Sequence, residues 1–113
     1  MSPAVAYGAL AAAIVFEVVG TSMLPFTRGF TRLWPTLAAL ACYGVAFFFL
    51  AQVVRSIPVG IVYAIWSGLG VALIVTLNAV AFGQRLDFWA MAGVGLIVAG
   101  VVVINLLSSA APH

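Results

Sequence analysis

Four long apolar runs divide the chain, each close to the roughly 20 residues that an α-helix needs to cross about 30 Å of hydrocarbon. The first extends from Pro3 to Leu24 and the second from Trp34 to Val54. The third extends from Pro58 to Phe82 and the fourth from Asp87 to Leu107. Short polar breaks separate them: Pro25 to Leu33, Arg55-Ser56-Ile57, and Gly83 to Leu86. Pro3 and Pro58 suit first helical turns, where a missing N–H costs nothing. Asp87 is a good N-cap for the last run.

The runs are apolar all round, with no period-two alternation. That predicts helices, because membrane barrel strands are about 10 residues long and alternate in polarity. The expected fold class is therefore all-α integral membrane, with four transmembrane helices forming a single domain over residues 1–113. Tight breaks make the chain zigzag and leave both ends on one side. The first run is long enough to span and has no basic segment before it, so it predicts a span and not a cleavable leader.

Composition agrees with this picture. Two thirds of the residues are hydrophobic and 5% are charged, against about 25% in soluble domains. Six acid and base residues cannot cover a water-facing surface, so the partner of most of this surface is the lipid bilayer. The net charge of +2 comes from Arg28, Arg32, Arg55 and Arg85, all in the breaks, where headgroup anchoring is their role and nucleic acid is not a partner. Three of the four lie in breaks one and three, a weak bias placing those breaks in the cytoplasm. Cys42 is the one cysteine and reads as a small packed residue. No His/Cys cluster predicts a metal, and no phosphate loop or nucleophile–base pair predicts an enzyme or a cofactor.

Glu17 is the exception inside the spans. An acidic residue at mid-span costs about 2.5 kcal/mol or more on insertion scales. Intramembrane acids mark ion or proton pathways. Tyr7, Leu10, Ile14, Glu17 and Thr21 follow each other at intervals of three and four, so they share one helix face. Ala13 and Gly20 lie beside that stripe and leave room for a ligand or another helix.

Aromatic residues stand within two other spans. Tyr63 and Trp66 share a face of the third helix, and Tyr43 and Phe47 a face of the second. Trp34 and Trp89, near span ends, read as interfacial anchors. Gly68 and Gly70 allow a bend or a close crossing in the third helix. In the fourth, Gly93, Ile97 and Gly100 form a stripe suited to helix–helix contact and to dimerisation. One carboxylate with several ring faces in a low-dielectric cavity suits a lipophilic organic cation: the carboxylate neutralises charge, and each ring adds about 2 kcal/mol or more when desolvated. The same carboxylate can take a proton, so proton and cation compete.

At these residues the chain resembles the small multidrug resistance family over nearly its whole length. The stretches that carry the resemblance are Glu17-Val18-Val19-Gly20-Thr21, Gly29 to Pro35, Ile57 to Gly68, and Gly83-Gln84-Arg85-Leu86-Asp87. The resemblance implies an antiparallel homodimer of four-helix protomers, inserted in both orientations in a bacterial inner membrane. It implies exchange of protons for lipophilic, often quaternary ammonium, cations at a site shared by the two Glu17 residues. By the same resemblance Tyr43, Tyr63 and Trp66 are aromatic binding positions, and Tyr7, Ile14 and Thr21 line helix one. Gly68 and Gly70 fall in its kink region and Gly100 in its dimer stripe.

Guanidinium exporters of that family carry a tryptophan shortly after the helix-one glutamate; here Val18, Val19 and Gly20 follow, as in the quaternary-ammonium branch. Two positions depart from the family pattern. Pro25 stands where lysine is usual and Arg28 where an acid is common. Pro25 should end or kink the first helix early. A guanidinium-type exporter stays open as an alternative, as do two functions of other classes. One is a non-transporting subunit or heterodimer partner. The other is a proton-conducting rotor subunit, which four spans and the aromatic set disfavour.

Overall fold

The computed structural model describes residues 2–83, 85–109 and 111. Gln84 of the third break and the terminal His113 lie outside them. Among the described residues the chain forms four long helices: α1 (Pro3–Met23), α2 (Leu33–Val53), α3 (Val59–Ala81) and α4 (Phe88–Leu107). Each is long and apolar enough to cross a membrane. Their starts follow local chemistry. Ser2 caps α1, its hydroxyl accepting from Val5 N at 3.2 Å, with Pro3 next in the first turn. The Asp87 carboxylate caps α4, accepting from Ala90 N at 2.8 Å. Pro58 immediately precedes α3. The helices fall into two compact units, residues 1–56 and 57–113, each an α-helical hairpin.

In the first hairpin the seam is built from small residues seven apart. Ala6, Ala13, Gly20 and Thr27 are all buried along one line. Across from them Ala39, Ala46 and Val53 are each 0% exposed. Seven residues return a helix almost to the same face, so each series forms a single edge. A Cβ added at Gly20 would lie 3.2 Å from Cys42 Cβ, 3.3 Å from the Ala39 carbonyl oxygen and 3.4 Å from Tyr43 Cε1. The α1 backbone thus passes very close to α2. Phe16 of α1 stacks on Phe49 of α2 with ring centroids 6.5 Å apart. Phe48 meets Phe49 edge to face.

The connection between α1 and α2 carries the two unusual positions. The α-helix ends at Met23, and Pro25 sits in a 3-10 turn, Leu24–Thr27. The early end expected from Pro25 is thus the observed one. Arg28, Gly29 and Phe30 follow with φ of 49°, 72° and 67°. Left-handed backbone is costly for arginine and phenylalanine. Buried Thr27 holds it: its hydroxyl donates to the Leu24 carbonyl at 2.7 Å and accepts from Phe30 N at 3.2 Å. Its carbonyl accepts from Thr31 N and Arg32 N.

In the second hairpin α3 runs without interruption through Gly68 and Gly70, both buried. A Cβ on Gly68 would collide with Val101 Cγ2 of α4 and lie 3.3 Å from Ile97 Cγ2. Of the bend and the close crossing expected at these glycines, the crossing is the one seen here. Two intramembrane amides satisfy themselves on their own helices: Asn78 Nδ2 donates to the Ile74 carbonyl at 2.7 Å and Asn105 Nδ2 to the Val101 carbonyl at 3.0 Å.

Both seams give tests by thermal unfolding in detergent. Gly20→Leu overpacks the first seam and lowers stability by about 1–3 kcal/mol. Gly8→Leu, where an added Cβ meets nothing within 4 Å, leaves stability unchanged or raises it. Gly68→Ala lowers stability by a similar ~1–3 kcal/mol, since valine is stiff about χ1 and cannot turn away freely. Adding Val101→Ala recovers part of that loss, a coupling that separates seam contact from helix propensity.

Candidate functional site: a membrane carboxylate on helix one

Glu17 lies in the middle of α1, half-buried. One turn on, Thr21 Oγ1 donates to Glu17 Oε1 at 2.8 Å. The same Oγ1 lies 2.8 Å from the hydroxyl of Tyr43 on α2. The close approach at Gly20 makes this reach possible, because it brings the Tyr43 ring against the α1 backbone. Three groups expected at the site on separate grounds are thereby joined into one hydrogen-bonded run. An isolated carboxylate in hydrocarbon is expensive, whereas one that accepts from a positioned hydroxyl is partly solvated by the protein.

The other expected residues are distributed as follows. Tyr7 is half-buried on α1 and Ile14 is buried there. Phe47 is exposed on α2, one turn beyond Tyr43. Tyr63 and Trp66 stand on α3 in the second hairpin, Tyr63 73% exposed and Trp66 half-buried. Gly93 and Gly100 on α4 have nothing within 4 Å of an added Cβ. Ile97, between them, is partly engaged at Gly68 and still 39% exposed. The two end tryptophans, Trp34 and Trp89, are among the most exposed side chains in the protein, as interfacial anchors require.

Sequence reasoning did not find the Thr21–Tyr43 bond, nor the parts of Ala39 and Cys42 in making it. The seven-residue spacing of Ala39 and Ala46 was the available signal. It marks a helix edge that another helix can approach closely.

Four apolar helices, each long enough to span, define a multi-pass membrane protein, with a carboxylate hydrogen-bonded at mid-span in the first hairpin. The profile of the Small Multidrug Resistance protein matches residues 5–97, and the chain belongs to that family. It is 52% identical over 104 residues to the quaternary ammonium compound-resistance protein QacF of Klebsiella aerogenes, covering 92% of this chain and 94% of that one. It is 53% identical, with the same coverage, to the multidrug transporter EmrE of Escherichia coli strain K12. The quaternary ammonium compound-resistance protein QacE of Escherichia coli is equally similar.

Proposed function

We propose that this protein exports lipophilic aromatic and quaternary ammonium cations in exchange for protons, using Glu17 as the shared binding group. The observation that carries the reading is the half-buried carboxylate of Glu17 in an apolar span, held by the hydroxyl of Thr21. Support for the cargo comes from the relatives, which are named for quaternary ammonium resistance and multidrug transport.

The chemistry follows from competition. A bare carboxylate attracts a cation strongly in low dielectric. Aromatic faces add attraction for an organic cation without demanding the oxygen shell that an inorganic ion needs. Tyr43, Phe47, Tyr63 and Trp66 supply such faces, with Tyr7, Ile14 and Thr21 along helix one. A proton on Glu17 removes the charge that holds the cation, so one carboxylate carries one or the other. If the protein changes its opening only when loaded, inward proton flow drives outward cation flow.

The working unit in this reading is an antiparallel homodimer in a bacterial inner membrane, inserted in both orientations, with Glu17 from each protomer in one site. The open face of α4 around Gly93, Ile97 and Gly100 forms the dimer contact, and Gly68 and Gly70 give α3 its freedom to bend. Both hairpins of a protomer belong to one transmembrane domain.

The test is equilibrium binding of a tetraphenyl-type phosphonium cation to purified dimer across pH. Affinity is expected to fall as pH is lowered, by about tenfold per pH unit below the midpoint when one proton displaces one cation. Glu17→Gln should weaken binding by about 2–5 kcal/mol, the cost of removing one partner of a buried charge pair, and abolish its pH dependence. Proton-coupled efflux that survives Glu17→Gln in proteoliposomes would sink the reading.

A further inference from the structure

The run Glu17–Thr21–Tyr43 has a direction. A threonine hydroxyl carries one hydrogen and two lone pairs, while an ionised carboxylate only accepts. Thr21 therefore spends its single hydrogen on Glu17 Oε1, 2.8 Å away. The Tyr43 hydroxyl lies at the same distance from Thr21 Oγ1, and only its own hydrogen is left to fill that contact. With Glu17 ionised, Tyr43 donates to Thr21 and Thr21 donates to Glu17. The remaining lone pair of Tyr43 is directed away from Thr21.

We propose that Thr21 is a positioning residue that transmits the charge state of Glu17 to the Tyr43 hydroxyl. A proton bound at Oε1 makes the carboxyl a donor toward Thr21. Thr21 then accepts from Glu17 and turns its hydrogen to Tyr43. Tyr43 accepts in turn, and its own hydrogen swings outward. No proton travels along the run; two hydroxyl hydrogens rotate, and each oxygen keeps its own hydrogen.

The reversal matters for a cation. In the ionised state the site offers a negative carboxylate and a phenol lone pair. In the protonated state it offers a neutral carboxyl and the positive end of an O–H dipole. Loss of charge and reversal of a dipole act in the same sense, so exclusion of the cation by the proton is sharper than charge neutralisation alone provides. This inference rests on Glu17 being the proton and cation site. The other titratable groups of this hairpin near the run are few. Tyr7 precedes Glu17 on α1 by ten residues, about 15 Å along the axis. Cys42 is beside Gly20 on α2. The 3-10 turn Leu24–Thr27 has no titratable side chain, and Arg28 follows it in the connection.

The experiment uses the full chain in lipid nanodiscs with isotope-labelled tyrosine. The protein has three tyrosines, and Tyr43→Phe assigns the resonance of interest. The Tyr43 Cζ shift is expected to move with pH at the midpoint found for phosphonium binding. In Thr21→Val, which has no hydroxyl to link the two groups, it should stay still. In Thr21→Ser, which keeps the hydroxyl, the shift should follow pH again. A wild-type resonance that does not move overturns the proposal, as does one that moves equally in Thr21→Val or stays still in Thr21→Ser. Glu17→Gln, run alongside, reports separately on the parent reading: pH-dependent phosphonium binding in that variant removes Glu17 as the site, whatever Tyr43 does.

Discussion

The site depends on how closely α1 and α2 approach. Lipid tails are as apolar as leucine, so burying hydrocarbon does not pull helices together inside a bilayer. Packing and hydrogen bonds must do it. Alanine and glycine at seven-residue intervals allow the two backbones to come close enough for both. Gly20 is the tightest point, with Cys42, the Ala39 carbonyl and the Tyr43 ring around its α-carbon. A larger residue there would push away the phenol that completes the hydrogen bonding of Thr21.

That approach also governs what the carboxylate costs. An acid at mid-span is disfavoured by roughly 2.5 kcal/mol or more, and a hydrogen bond to a charged group returns about 1.5–3 kcal/mol. One hydroxyl is therefore comparable to the penalty. Thr21 as the intrahelical donor, itself supported by Tyr43, makes the carboxylate tolerable within the span.

Much of this was readable from the chain because membrane spans announce themselves by length. Four apolar runs of about 20 residues leave few alternatives, and Pro3 and Asp87 mark helix starts by their chemistry. The early end of α1 followed from the missing N–H of Pro25. Faces were legible too: spacing put Glu17 and Thr21 together, and they bond. Pairings between helices were not. Periodicity says which residues share a side and nothing about which helix covers it, so the Tyr43 bond and the Gly68–Val101 contact needed coordinates. The left-handed Phe30 had no local signal, because its conformation is imposed by the bonds that Thr27 makes on either side of it.

The same geometry decides which side of the seam Glu17 faces. At about 100° per residue, Glu17 and Phe16 flank the Ala13–Gly20 edge of α1 on opposite sides. Tyr43 and Phe49 likewise flank Ala46 on α2. The helices are antiparallel neighbours, so the two polar members share one side of the seam and the two phenylalanines share the other. The contacts agree: Thr21 links Glu17 to Tyr43, and Phe16 stacks on Phe49. Behind the carboxylate there is therefore a sealed line of small residues and then an apolar ring stack. Within this hairpin Glu17 therefore faces the tyrosine side of the seam, with the ring stack on the other.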